Sequence, residues 1–154
     1  MPKIVQISVN PAGGVPKHRV ESARLGFERV EGDKQRNLKY HGGPERAVCL
    51  YSLEVIKNLQ REGHPIAPGT IGENLTISGL NWSEIVPGVR LQVGESEIEI
   101  TSYVVPCWNI RGSFIGEKFG RISQKTHPGE GRLYARVLKK GLVREGDEVH
   151  IVEI

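Results

Sequence analysis

The sequence predicts a mainly β fold with a few helices, arranged as one small barrel-like domain over residues 1–154. Glycine is frequent, with 19 in 154 residues where an ordinary share is roughly 7 per cent, and this indicates many tight turns. One spacing of apolar residues around a glycine occurs at 85–93 and again at 143–151. A glycine turn that leads into a core strand is typical of small barrels, whose closure removes exposed strand edges.

Apolar runs bounded by turn residues predict the strands in chain order. The first run, Lys3–Val9, ends at the turn cluster 10–14. A short strand is predicted at 26–31, before a polar stretch that has no apolar period. The remaining strands are predicted at 46–51, 73–77, 90–93, 97–104, 133–139 and 148–154.

One segment has a clear helical pattern. Ser52 is a suitable N-cap for a helix that continues to about Arg61 and ends at Gly63. A second, shorter helix is predicted within 114–119. The apolar face of the first helix consists of Val55, Ile56 and Leu59.

Composition and charge exclude several classes of protein. The formal net charge of +3 is too small to indicate a nucleic-acid partner, although a local basic cluster can hold a small anion. We expect a cytoplasmic protein without a membrane partner, because neither a signal segment nor about 18 consecutive apolar residues occur. The two cysteines are far apart and outside any C-x-x-C pair, which argues against a zinc ribbon or a disulfide framework.

The thiol of Cys107 is the first candidate for chemistry, because it follows Pro106 at the end of an alternating run and has Arg111 nearby. Thiolates beside positive charge are stabilised and act as nucleophiles or metal ligands. Cys49 lies inside the apolar run 47–51, so we expect it in the core. A base such as His41 would give a thiol hydrolase, whereas a lone thiolate suits a cofactor that brings its own metal ligands. The alternative is a buried, inert thiol.

A basic glycine loop at 33–46 is the second candidate. Its glycines, Gly42 and Gly43, allow backbone N–H groups to approach a ligand, and lysine or arginine supplies countercharge for a phosphate. A solvated basic loop is the alternative. The cationic side chains of this loop are Lys34, Arg36, Lys39 and Arg46, with His41 beside the glycines.

A further turn at 69–72 leads into a strand with Glu73 and Asn74 at its start. Neighbouring residues of a strand point to opposite faces, so one of these two side chains is expected to face a pocket. The alternative is that Asn74 serves the turn and Glu73 is solvated.

Five motifs in order resemble a known family. The chain resembles the MOSC domain, named after the C-terminal domain of molybdenum cofactor sulfurase, and in particular its stand-alone bacterial members. The motifs are Gly32-Asp33-x-Gln35, His41-Gly42-Gly43-x-x-x-Ala47-Val48, Gly69-x-x-Gly72-Glu73-Asn74-Leu75, Pro106-Cys107, and Tyr134-Ala135-x-Val137-x-x-x-Gly141-x-x-x-x-Gly146-Asp147-x-Val149.

The resemblance implies a MOSC-type β-barrel that binds the molybdenum cofactor, a pterin phosphate whose dithiolene holds the metal. It implies that Cys107 is the protein ligand to molybdenum or, in sulfur-carrying members, the site of a persulfide. The other candidate cofactor-binding residues are His41, Gly42, Gly43, Glu73, Asn74, Lys34, Arg36, Arg46 and Arg111.

Val104 departs from the family pattern. Stand-alone members often have T-x-x-R-x-P-C, with an arginine three residues before the cysteine, and this chain has valine there. Valine cannot clamp an anionic cofactor bidentately. We expect the basic loop at 33–46 to bind the pterin phosphate instead.

The leading functional hypothesis is a molybdenum-dependent reductase of N-hydroxylated small molecules, supplied with electrons by a separate protein. The second hypothesis is a carrier that holds a persulfide on Cys107 for a molybdenum enzyme. A remote third is a small barrel that binds anions or nucleotides. Pyridoxal phosphate is not expected, because it belongs to a separate domain of the full-length sulfurase.

Overall fold

The structure, a computed structural model, describes residues 1–34 and 42–152. Within these ranges the chain forms ten strands, one α-helix and five short 3-10 turns. The elements are β1 (Lys3–Val9), β2 (His18–Val20), β3 (Ser22–Leu25), β4 (Val48–Ser52), α1 (Leu53–Arg61), β5 (Leu75–Ser78), β6 (Arg90–Val93), β7 (Ser96–Tyr103), β8 (Leu133–Lys139), β9 (Gly141–Arg144) and β10 (Val149–Ile151).

Eight strands form one sheet in the order β10-β6-β7-β8-β4-β5-β1-β2, and β3 pairs with β9 in a second, two-stranded sheet. The β4–β5 pair is parallel, and the helix α1 lies between these two strands in the chain. The large sheet returns towards itself, because Lys3 of β1 forms a β-bridge with Glu148 just before β10. Backbone hydrogen bonds from Ile4 to Asp147 and from Val149 to Pro2, both 2.9 Å, support this bridge. The fold is therefore mainly β and barrel-like, as predicted, although its strand ladder is not continuous.

The repeated spacing found at 85–93 and 143–151 corresponds to two neighbouring strands. Gly88 and Gly146 have φ values of 97° and 92°, a backbone conformation that glycine adopts without a steric penalty. The strands that follow them, β6 and β10, pair antiparallel. The two copies thus build one part of the barrel wall.

The helix α1 agrees with its sequence pattern. The Ser52 hydroxyl accepts a hydrogen bond from the Val55 N–H at 3.2 Å, which caps the first turn. Gly63 has a φ of 99° and lies just beyond the helix, where a left-handed residue closes the C-terminus. The buried face of α1 consists of Val55, Ile56 and Leu59.

Two predicted elements were wrong. The strand expected at 26–31 lies earlier, at Ser22–Leu25, and Gly26 opens a turn in which its N–H donates to the Arg29 carbonyl at 3.0 Å. The helix expected within 114–119 is replaced by three consecutive 3-10 turns. Glycines at 112, 116 and 120 explain this, because each glycine costs helix stability. The three turns are Trp108–Ser113, Ile115–Glu117 and Phe119–Ile122.

Across the described residues, every helix is too short or too polar to span a membrane.

Candidate functional site

A cavity of about 360 Å³ opens at one end of the barrel. Segments distant in sequence form its wall, as loops gathered at a barrel end commonly do. The wall includes five of the predicted site residues, which are Lys34, Arg46, Asn74, Cys107 and Arg111. It also contains residues that were not predicted to bind a cofactor, which are Gly13, Gly14, Val15, Lys17, Asp33, Cys49, Ile71, Gly72, Asn109, Ile110, Arg132 and Tyr134.

Cys107 lies beyond the end of β7 and immediately before the 3-10 turn Trp108–Ser113. The Ile110 N–H donates to the Cys107 carbonyl at 3.2 Å, which fixes the backbone at the thiol. The residue is half-buried, and its side chain belongs to the cavity wall. This position leaves the sulfur within reach of a ligand in the cavity.

Cys49 also belongs to the cavity wall, although it is buried in β4. Burial, the dominant cause, raises the pKa of its thiol to about 11, because desolvation disfavours the thiolate. Its cross-strand partner in β8 is Tyr134, whose pKa is also raised by burial. The expectation that Cys49 is a core residue is confirmed, but the sequence did not predict its place beside the cavity.

A buried carboxylate, Asp33, organises one side of the cavity. It pairs with Lys17, accepts a hydrogen bond from the Asn74 side-chain amide at 3.0 Å, and accepts another from the Asn10 backbone at 2.8 Å. Hydrogen bonds to an ionised carboxylate are stronger than those between neutral groups, so a carboxylate that accepts several of them is firmly fixed. Asp33 therefore fixes two cavity side chains, Lys17 and Asn74, against the barrel.

The amide group of Asn74 connects three segments. Its Nδ2 donates to the Ser8 carbonyl at 3.2 Å as well as to Asp33, and its Oδ1 accepts from the Cys49 backbone N–H at 3.0 Å. Both amide protons are thus used within the protein. The structure assigns Asn74 a role in holding the cavity wall, and its predicted contact with a cofactor stays a prediction.

The cationic residues of the wall differ in how they are held. The Arg111 guanidinium lies 4.3 Å from the Trp108 ring centroid and pairs with Glu117 at 3.0 Å. The Arg46 guanidinium lies 5.9 Å from the Tyr134 ring centroid. Lys34, in contrast, is exposed. Such a set gives the cavity a positive character suited to an anionic ligand.

Arg132 is the cation that sequence analysis missed. It is only 6% exposed, and its Nη1 donates to the Ile71 carbonyl at 2.8 Å. Its Nε and Nη2 are buried and have no hydrogen-bond partner among the described residues. Buried guanidinium groups are normally paired. These two N–H donors are therefore suited to bind an anion in the adjoining cavity. Its only sequence signal is an arginine directly before a strongly apolar strand.

The other predicted cofactor-binding residues lie elsewhere. Glu73 is fully buried and is not among the described residues of the cavity wall. Gly43 precedes the 3-10 turn Pro44–Arg46, and Gly42 is buried beside it. His41 and Arg36 lie outside the described residues, as does Lys39.

Burial is the main reason that the pKa of Glu73 rises to about 7, with the nearby Arg132 charge opposing the rise. The Thr76 hydroxyl donates to Glu73 Oε2 at 3.3 Å. Oε1 has no partner in the described part of the chain. The raised pKa places the titration of Glu73 near neutral pH, at a fully buried position next to the wall residue Asn74.

Fold and cavity together define a small barrel-like protein whose half-buried thiol shares a pocket with several cations. A sequence model of the MOSC domain matches residues 37–150, and the chain belongs to this family. YflK of Bacillus subtilis strain 168 is 30% identical over 142 residues, covering 90% of this chain and 63% of YflK. YiiM of Escherichia coli K12 is 33% identical over 102 residues, covering 63% of this chain and 45% of YiiM. The chain thus spans less than two thirds of either relative.

Solved structures share the fold. The crystal structure of YiiM from Escherichia coli superposes with a TM-score of 0.75 at 25% identity, covering 100% of this chain and 71% of that one. YiiM from Geobacillus stearothermophilus gives a TM-score of 0.75 at 22% identity, covering 99% of this chain and 76% of that one. The resemblance to the MOSC domain and the single barrel-like β fold are therefore confirmed.

We predict that a maleimide reagent modifies Cys107 before Cys49 in the native protein. Cys107 is half-buried, whereas Cys49 is buried with its pKa raised to about 11, and thiolates are the reactive form. Mass spectrometry of labelled peptides at pH 7.5, with Cys107→Ser and Cys49→Ser as matched controls, measures both rates. Faster labelling of Cys49 would contradict this assignment.

We also predict that Glu73→Gln changes how stability depends on pH. The folded pKa of Glu73 is raised, so its protonation contributes stability that is fully present below about pH 4.5 and lost as pH rises through about 7. Relative to wild type, the variant should gain about 3 kcal/mol of unfolding free energy between those limits. Urea denaturation of both proteins at pH 5 and pH 8 measures the gain, and parallel pH profiles would contradict it.

Proposed function

We propose that this protein binds the molybdenum cofactor in the cavity, with Cys107 as the protein ligand to the metal, and reduces N-hydroxylated small molecules. One observation carries the proposal: a half-buried thiol shares a cavity with a buried guanidinium that has unpartnered donors. A thiolate suits a soft metal, and a cationic wall suits a phosphate-bearing pterin.

The residues of the cavity fit such a cofactor by their chemistry. Arg132 offers Nε and Nη2 to an anion, because neither atom has an acceptor in the described chain. Gly13 and Gly14 both have a φ of 82° and lie in the wall, where residues without side chains let a ligand approach the backbone. Among residues 1–34 and 42–152, no group of three metal-binding side chains occurs, so the proposal relies on a cofactor with its own donors.

Each part of the wall has a stated task in this proposal. Cys107 supplies the sulfur ligand, and the 3-10 turn that follows holds that sulfur at the cavity. The Asp33 cluster keeps Lys17 in the wall as a fixed positive charge. Arg46 and Arg111 add positive charge to the same wall. Together these groups bind and orient an anionic ligand before any reaction occurs.

The overall reaction is a two-electron reduction. The N–O bond of the substrate breaks, the nitrogen takes two electrons and one proton, and the hydroxyl takes a second proton and leaves as water. When bound, the cofactor supplies the redox change, and a separate electron-donor protein restores it. We assign proton delivery to His41, the candidate that the sequence provides, because an imidazole exchanges protons near neutral pH.

The proposal predicts that protein purified from a host that makes the cofactor contains molybdenum and pterin in equal amounts. Cys107→Ser should lose at least ten-fold in bound molybdenum and all measurable reduction of a hydroxylamine, because it removes the metal ligand. Cys49→Ser is the matched control, since it changes the other cavity thiol and should keep both properties. Metal analysis, pterin fluorescence and reduction assays measure these outcomes.

Two results would contradict the reductase. A persulfide on Cys107 with no bound molybdenum would favour the sulfur carrier, because a persulfide forms on the thiol itself. Phosphate or nucleotide binding with neither molybdenum nor persulfide would favour a simple anion-binding barrel.

A further inference from the structure

Arg132 has hydrogen-bonding capacity that the protein does not use. Its Nη1 donates to Ile71, whereas Nε and Nη2 have no partner in the described part of the chain. These two atoms lie on the same edge of the guanidinium plane. That edge can donate two parallel hydrogen bonds to a phosphate or carboxylate.

Nearby acids do not neutralise Arg132. No carboxylate within residues 1–34 and 42–152 forms an ion pair with it. Glu73 interacts with it electrostatically but forms no ion pair with it in the described chain, and Asp33, the acidic residue of the described wall, is already paired with Lys17. A buried charge without a partner is costly, so an anion at this edge would relieve that cost.

Arg132 also lies beside the position where the family pattern has its arginine. The Val104 N–H donates to the Arg132 carbonyl at 3.0 Å, so these two residues face each other where β7 ends and β8 begins. Val104 itself is 2% exposed and packs with Cys49 and Tyr134. The position after β7 thus lacks the family arginine, whereas the facing position before β8 has an arginine, Arg132.

We propose that Arg132 is the anchor of a phosphate-binding subsite in the Cys107 cavity, donating from Nε and Nη2 to two oxygens of the phosphate. The proposal rests on the proposed function only in identifying the phosphate as that of a pterin. The site by itself recognises the phosphate group, from a cofactor or free in solution. Both nitrogen atoms are shielded from solvent, so the phosphate reaches them through a shift of neighbouring wall side chains. The predicted phosphate contact from the basic loop at 33–46 stays a prediction beside this subsite.

The test uses the full chain from a host that cannot make the cofactor, titrated with inorganic phosphate by calorimetry at low ionic strength. Arg132→Gln should weaken phosphate binding by roughly ten- to a hundredfold, because two charge-assisted hydrogen bonds are lost. Arg132→Lys keeps the positive charge but lacks the two parallel N–H donors of the guanidinium edge, so it should weaken phosphate binding by less than Arg132→Gln. Arg24→Gln, at an exposed position of β3, removes the same charge outside the cavity and should bind like wild type.

Thermal unfolding gives an independent measurement. Phosphate should raise the Tm of wild type and of Arg24→Gln but not of Arg132→Gln, because only a ligand that binds the folded state stabilises it. Without phosphate, Arg132→Gln should be at least as stable as wild type, since it removes an unpaired buried charge. If Arg132→Gln fails to fold and Glu73→Gln/Arg132→Gln folds, Arg132 serves as countercharge to Glu73, and the proposal is overturned.

Further outcomes separate this proposal from the proposed function. The subsite is wrong if wild type does not bind phosphate, or if Arg132→Gln and Arg132→Lys bind it like wild type. Protein from a cofactor-making host then identifies the source of the phosphate. Loss of pterin in Arg132→Gln supports the subsite as a cofactor contact. If wild type carries neither pterin nor molybdenum yet binds phosphate through Arg132, the subsite stands as a free-phosphate site and the proposed function fails.

Discussion

The carboxylate of Asp33 is the interaction on which the cavity depends. It is buried, and it binds a lysine side chain and a backbone N–H from the loop between β1 and β2, and an asparagine amide from the start of β5. The asparagine, Asn74, in turn bonds to β1 and to the backbone of Cys49. A single charged group thereby ties the loop before β2, the loop before β4 and the start of β5 into one wall. Because each donor is strongly coupled to the carboxylate, the part of the wall that contains Lys17 and Asn74 is held in one arrangement before a ligand arrives.

The strands with clear periodicity could be predicted from the sequence, and the short strands β2 and β9 could not. Alternation in β1, β6 and β8 and the Ser52 cap of α1 are local signals, so their positions agree with the structure. The strands β2 and β9 are short, and their pairing depends on partners distant in sequence. The helix predicted within 114–119 is a short 3-10 turn at Ile115–Glu117 instead, because Gly116 lies inside the segment with a positive φ of 62°.

The sequence could predict which polar and reactive residues belong to the candidate site, but not which partners each of them contacts. Cys107, Asn74, Lys34, Arg46 and Arg111 have polar or reactive groups in glycine loops, and the structure brings them to one cavity. Arg132 and Cys49 were missed because they belong to apolar strand surroundings, which sequence patterns assign to the core. The role of Asp33 was not predicted beyond its place in a family motif, because a carboxylate within a basic loop is expected to be solvated. Burial and partners, which decide the role of each group, are properties of the tertiary structure.

The bridge between Lys3 and Glu148 has a consequence for how the chain folds. It joins residues that are separated by almost the whole described sequence, and contacts of this kind form only after a large loss of chain entropy. Folding should therefore be slow for a domain of this size, as it is for other β proteins rich in distant pairings. Until β10 docks, the edges of β1 and β6 remain open to pairing with other chains. During synthesis this barrel is thus vulnerable to aggregation until β10 has left the ribosome and paired.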